Sequence, residues 1–281
     1  MTTSNAARRN HDELFPGHTS TLAVTDPELM EVFDNFAFDE VLQYGELDTR
    51  TRLMVQLAAI IASQAVNEYR AMLGAALTVG VTPVEVKEIV YQAVPYVGLA
   101  KVFDFLHATN DVLTDRGVEL PLPPQSASTP QTRAEVGLAV QKQIVGAEKV
   151  EQMYASASAD VSHIQRYLSA NCFGDHVARS GLDLPTRELL TFSMLVALGG
   201  ADAQVKGHIA GNLNVGNSRG TLLAVLTQLL PFIGYPRTLN GLNAINEIAP
   251  DEGNTLQRRV AGFEAQRNVA APTDCRSANS T

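Results

Sequence analysis

The chain has 281 residues, 45% of them hydrophobic, and a formal net charge of -9, so it can bury one or two ordinary cores without a disulfide or metal staple. Its acidity and scattered basic residues oppose binding to phosphate backbones, which excludes nucleic acid from the expected partners. Two cysteines are too few for a disulfide framework, and no segment reaches the roughly 18 apolar residues of a membrane span; a cytoplasmic protein with no membrane partner is expected.

Taken in chain order, residues 1–25 are polar and read as a loosely held segment. From 26 to 118 the pattern is helical. Leu53, Leu57, Ile60 and Ile61 fall on one face behind the start signal Asp48, and Thr82, Pro83 and Glu85 spell an N-cap, a first-turn proline and a capping-box acid. Gly80 closes one helix in the left-handed region, and Pro95 is expected to interrupt the next near its end. Residues 119–130, ELPLPPQSASTP, are too polar and proline-rich to pack as a helix and read as a linker. A second helical stretch spans 131–250: Leu189, Phe192, Leu195 and Val196 share a face behind Asp183 and Pro185, and Gly216 and Pro231 repeat the roles of Gly80 and Pro95. Residues 251–281, with Cys275, read as a loose tail. No alternating runs bounded by hairpin turns compete, so the fold class expected is all-α.

The two helical stretches are copies of one unit. An offset of 135 to 136 residues aligns Gln92, Pro95, Tyr96, Gly98 and Lys101 with Gln228, Pro231, Phe232, Gly234 and Arg237. That period is far longer than a solenoid repeat, so a duplicated domain is predicted rather than an array.

Chemistry concentrates in the second copy. Glu188 is followed by Gly199, Gly200, Ala201, Gln204 and His208, and the last three are spaced to line one helical face. A carboxylate and an imidazole on two packed helices form a candidate proton-transfer pair. Simpler readings stand beside this one: His208 as a hydrogen-bonded core group, Glu188 as a helix-dipole partner, and Arg187, matched by Arg52 in the first copy, as half of a structural ion pair. Cys172 stands alone, one helix earlier, and reads as a small buried apolar side chain. The six histidines show no ligand spacing, so no metal is expected.

The runs TRELLTFSMLVALGG, GHIAGNLNVGN and QLLPFIGYPRTLNGLNAINEI resemble the carboxymuconolactone decarboxylase and alkylhydroperoxidase D superfamily. The resemblance implies tandem copies of an antiparallel helical unit, a Glu188–His208 relay, and a trimer of tandem chains standing in for the family's hexamer of units. The peroxidase members carry a Cys-x-x-Cys pair where this chain has Ala201 and Gln204, which removes the thiolate that chemistry requires. The decarboxylase branch fits better and implies a small carboxylated or lactone substrate and no cofactor. Glu188 and His208 would then be the acid and base, with Gln204, Tyr235, Arg187 and Arg237 contacting substrate. The first copy has Leu53 and Met72 at the two catalytic positions, so its site is read as degenerate, while Gln64, Glu68, Tyr69 and Arg70 could form a different polar site or an interface. Two rivals remain at this point: a non-catalytic binding or assembly protein that kept the fold, and a peroxidase using Cys172.

Overall fold

The structure is a computed structural model that describes residues 2–251; Cys275 and the expected loose tail lie outside the described residues apart from Asp251. It is all-α, with no strand among the described residues. The first half contains α1 (Asn5–Leu14), α2 (Leu22–Thr25), α3 (Pro27–Phe38), a 3-10 turn (Glu40–Gln43), α4 (Thr49–Ala62), α5 (Val66–Thr78), α6 (Pro83–Val97) and α7 (Leu99–Asp115). After an irregular segment come α8 (Arg133–Val145), α9 (Ala147–Ser156) and α10 (Ser162–Tyr167), which runs straight into a π-helix (Leu168–Val177). Then follow α11 (Leu184–Leu198), α12 (Asp202–Asn214), α13 (Arg219–Ile233) and α14 (Tyr235–Ile248).

Local chemistry sets the boundaries. Asp48 accepts a hydrogen bond from the Thr51 amide at 3.0 Å and Asp183 one from the Thr186 amide at 2.8 Å, each cap holding a first turn in place and contributing about 1 kcal/mol. Thr82 and Glu85 complete a reciprocal capping box on α6. Pro95 and Pro231 do not interrupt their helices: each sits inside the last turn, and the helix continues to Val97 or Ile233. It ends where Gly98 (φ 86°) and Gly234 (φ 76°) turn the chain through a region closed to other residues.

The N-terminal expectation is corrected for residues 5–14. They form α1, whose first turn is capped by Ser4 Oγ, and Ser4 Oγ in turn donates to Asp39 Oδ2 at 2.6 Å. Asn10 Nδ2 donates to the Phe38 carbonyl at 2.7 Å, while Ala7 and Leu14 are buried. The apolar stripe of α1 is so narrow that composition hides it, yet these contacts suffice to dock it on α3.

At the centre lie α4 and α11, equivalent helices from the two halves, which form the most extensive contact between them. Both are buried almost all round from Leu53 to Ala62 and from Arg187 to Ala197, the polar Gln56, Arg187, Glu188, Thr191 and Ser193 included. Around them the arrangement is reciprocal: α6 of the first half packs on α11, and α13 of the second half packs on α4. Polar ties follow the same exchange. Gln92 Nε2 donates to the Arg187 carbonyl at 2.7 Å and to Thr191 Oγ1 at 2.9 Å, and Gln56 Nε2 donates to the Gln228 carbonyl at 3.1 Å. One hydrophobic core therefore serves both halves.

Candidate active site

The π-helix and the helices around it build a cavity on one flank of this core. Where α8 crosses the π-helix, Gly137 and Gly174 let the backbones touch: a Cβ on Gly137 would meet the Ser169 carbonyl oxygen at 1.9 Å. The wide turns of the π-helix then bring Cys172 and Phe173 to the inner wall. The cavity has a volume of about 510 Å³, within the range of small-molecule sites.

On the wall formed by α12, Ala201, Gln204 and His208 line the space together. Glu188 stands behind His208 on α11 and does not itself line the cavity. It is fully buried, and its Oε2 lies 2.8 Å from His208 Nδ1, while the His208 side chain is 17% exposed. Asn212 Nδ2 bridges the two helices, donating to the Glu188 carbonyl at 3.0 Å and the His208 carbonyl at 2.7 Å. Gly211 leaves room for the carboxylate; a Cβ there would come within 2.7 Å of Glu188 Oε2. With a proton on Nδ1 donated to Glu188, His208 keeps Nε2 for a ligand.

Three other predicted contacts are corrected. Arg187 is buried outside the cavity: its Nη2 donates to Glu88 Oε2 and to the Arg179 carbonyl, both at 2.8 Å, and its Nη1 to Gln92 Oε1 at 2.8 Å. It is thus a tie between the halves. Tyr235 begins α14 on the outer surface and is 62% exposed. Arg237 lies over the turn at Gly199 and Ala201, lining a crevice of about 20 Å³, room for about one water. The geometry of these helices turns all three away from the space into which His208 faces.

Residues that the sequence reading did not select take their place. Lys149, exposed on α9, supplies a cation at the cavity wall. Gln141 on α8 is fully buried; its Oε1 accepts from Ser169 Oγ at 2.5 Å while its Nε2 has no partner. Tyr96 reaches in from α6 of the first half, its ring 5.6 Å from that of His208, with a buried hydroxyl beside Thr191 and Cys172. Burial, and the neighbouring Cys172 and Glu188 after it, hold this hydroxyl well above the ordinary phenol range, so it remains a donor. The same burial pushes the Cys172 thiol up to about 12, with Glu188 adding to the effect and Tyr96 opposing it. A signal for Tyr96 existed in the sequence: at a matched landmark the other copy has Phe232, so the hydroxyl is the difference between them. Among the described residues no cluster of three or more His, Cys, Asp or Glu is placed to hold a metal ion, and no helix is long and apolar enough to cross a membrane.

Two segments of the chain, residues 27–111 and 163–247, match the carboxymuconolactone decarboxylase family, and the second match begins and ends 136 residues after the first. The chain belongs to the carboxymuconolactone decarboxylase family. Within that family it is similar to the 4-carboxymuconolactone decarboxylase of Acinetobacter baylyi, at 24% identity over 123 residues, which is 44% of this chain and 91% of that protein. One relative of the family thus corresponds to about half of this chain, and the tandem carboxymuconolactone decarboxylase architecture is the internal repeat seen in the fold.

Proposed function

We propose that the second half is an acid–base catalyst that removes carbon dioxide from a small carboxylated lactone. The observation that carries this reading is the 2.8 Å contact between Glu188 and His208 on the wall of a cavity of about 510 Å³. In the step envisaged, the bond from the substrate carbon to its carboxylate breaks, carbon dioxide leaves, and the electron pair passes into the conjugated lactone as an enolate. His208, entering this step as the imidazolium, delivers its Nε2 proton to carbon, and the neutral imidazole left behind, its Nδ1–H still donated to Glu188, takes up a replacement proton from solvent. Glu188 acts through His208 as a positioning residue, fixing the tautomer and stabilising the imidazolium. Lys149 is suited to hold a remaining carboxylate. Gln141 Nε2, which has no protein partner, and the Tyr96 hydroxyl are suited to donate to the lactone and enolate oxygens.

The polar groups that line this cavity, His208 with Gln204, Gln141 and Lys149, favour this over a binding protein that has abandoned chemistry. A peroxidase using Cys172 is disfavoured by a thiol pushed up to about 12.

The test is decarboxylation of 4-carboxymuconolactone, the compound named for the relative, by the purified chain. His208→Ala is expected to lower kcat by about 10²–10⁴-fold. Glu188→Gln should lower it by a smaller factor and move the pH profile of kcat, because the imidazolium loses its counter-charge. Lys149→Ala should raise KM with little change in kcat. Full turnover in both the His208 and Glu188 variants would remove the mechanism.

A further inference from the structure

The first half lacks the Glu–His pair, yet the surface equivalent to the cavity of the second half is not closed. A pocket of about 340 Å³ opens there, lined from α1, α3 and α5 where the other is lined from α8, the π-helix and α12. At the repeat offset of 136, Glu68 and Ala71 on α5 stand where Gln204 and Gly207 stand on α12, and both pairs line their pockets.

The chemistry at the equivalent place is inverted. Lys149 lines the second-half cavity, whereas no lysine or arginine is among the residues lining the first. Instead two carboxylates are present. Asp34 presents an Oδ1 that is buried and has no hydrogen-bond partner, and Glu68 stands exposed at the mouth. Below them is a box of rings: Phe33 and Phe15 meet Phe38 edge-on, with centroids 6.0 and 6.2 Å away, and His11 meets it at 5.4 Å. Ring faces and a carboxylate oxygen short of a donor are together complementary to an ammonium group on an apolar body.

We propose that the first half holds a second ligand site, in which Asp34 and Glu68 above the Phe15–Phe33–Phe38 cluster bind a small organic cation of the arylalkyl-amine class. The ammonium donates to Asp34 Oδ1 and the ring enters the aromatic box. Burial already holds the Asp34 carboxyl above its ordinary range, with His11 opposing this, and a bound cation offsets the same cost. This site is independent of the decarboxylation reading, since its helices and side chains are those of the other half.

Calorimetric titration of the full chain with phenethylamine, and with phenylacetate as its charge-reversed counterpart, tests the assignment. Phenethylamine is expected to bind saturably at one site and phenylacetate at least about tenfold more weakly. Asp34→Asn should weaken the amine by about tenfold or more, the loss of one charge-assisted hydrogen bond. Glu68→Gln, a near-isosteric change at an exposed position, should weaken it severalfold and stands in if Asp34→Asn does not fold. His208→Ala should bind the amine as the parent does. Equal affinity for phenylacetate in a Lys149→Ala background, no saturable amine binding, undiminished affinity in a folded Asp34→Asn or in Glu68→Gln, or loss of binding in His208→Ala would each overturn the site.

Discussion

Arg187 and Glu88 are 0% and 1% exposed at their side chains, and Glu88 is also held by Arg179 at 2.9 Å. Without Arg187 the buried Glu88 keeps only Arg179 to offset its charge and Gln92 Oε1 loses its donor, so Arg187→Ala is expected to cost about 3 kcal/mol of stability. The KM for substrate should stay unchanged in what remains folded. Thermal denaturation and steady-state kinetics together check this, and a raised KM at full stability would return Arg187 to the substrate. Cys172 gives a second prediction at this scale. With its thiol pushed up to about 12 from an ordinary 9.0, its thiolate at neutral pH is on the order of a thousandfold scarcer than that of a free cysteine. In a Cys275→Ser background, native protein should therefore alkylate that much more slowly than denatured protein, the rate rising with pH toward the shifted value; rapid labelling at neutral pH would sink the argument. Residues differed in how legible they were. Glu188 and His208 were legible because their spacing within two consecutive helices decides their meeting. For Arg187 the ion-pair reading holds and the substrate reading does not, but its partner Glu88, 99 positions away in the other half, could not be named from the sequence, and Tyr96 was missed because helical periodicity says nothing about which half a side chain enters.

Between residues and fold, small elements decide the geometry. Gly211 faces α11 where Glu188 needs room, with a Cβ position 2.7 Å from Glu188 Oε2 and 3.0 Å from Ile144 Cγ2. Gly211→Ala should push the carboxylate off His208 and lower kcat by about 10²-fold, the usual effect of an ångström-scale misplacement, with KM little affected because no cavity wall is lost. An alanine variant at full kcat would mean that the pair is not needed in its observed geometry. The N-terminal caps of α4, α6 and α11 could be read from Asp48, Thr82 and Asp183, since each acts within a few residues of itself, whereas the stops of α6 and α13 at Gly98 and Gly234 were misplaced onto the prolines before them. Nor could the π-helix be read. Its i to i+5 ladder runs through the close crossing of Gly137 and Gly174, and the run that forms it, LSANCFGDHV, carries no local signal for wide turns.

Across the whole molecule, the repeat was legible because duplication writes itself into matched landmarks, but the way its copies share a core was not. Reading 119–130 as a linker suggests two bodies, whereas α4 and α11 are each buried almost all round only because the other is present. Neither half alone could cover its central helix: with the main contact between the halves removed, an isolated half would expose apolar side chains of α4 or α11 that are now buried. At roughly 1.5–3 kcal/mol for each such side chain, several of them together exceed the whole stability of an ordinary domain. The halves are therefore expected to unfold as one unit. Hydrogen exchange under increasing denaturant should show the slowest amides of α5 and α12 converging on a single opening free energy and a single denaturant slope. Residues 131–250 expressed alone should remain unfolded or associate through α11. A first half that opened at markedly lower denaturant, or a second half that folded as a stable monomer by itself, would show that the shared core is a contact between two finished domains.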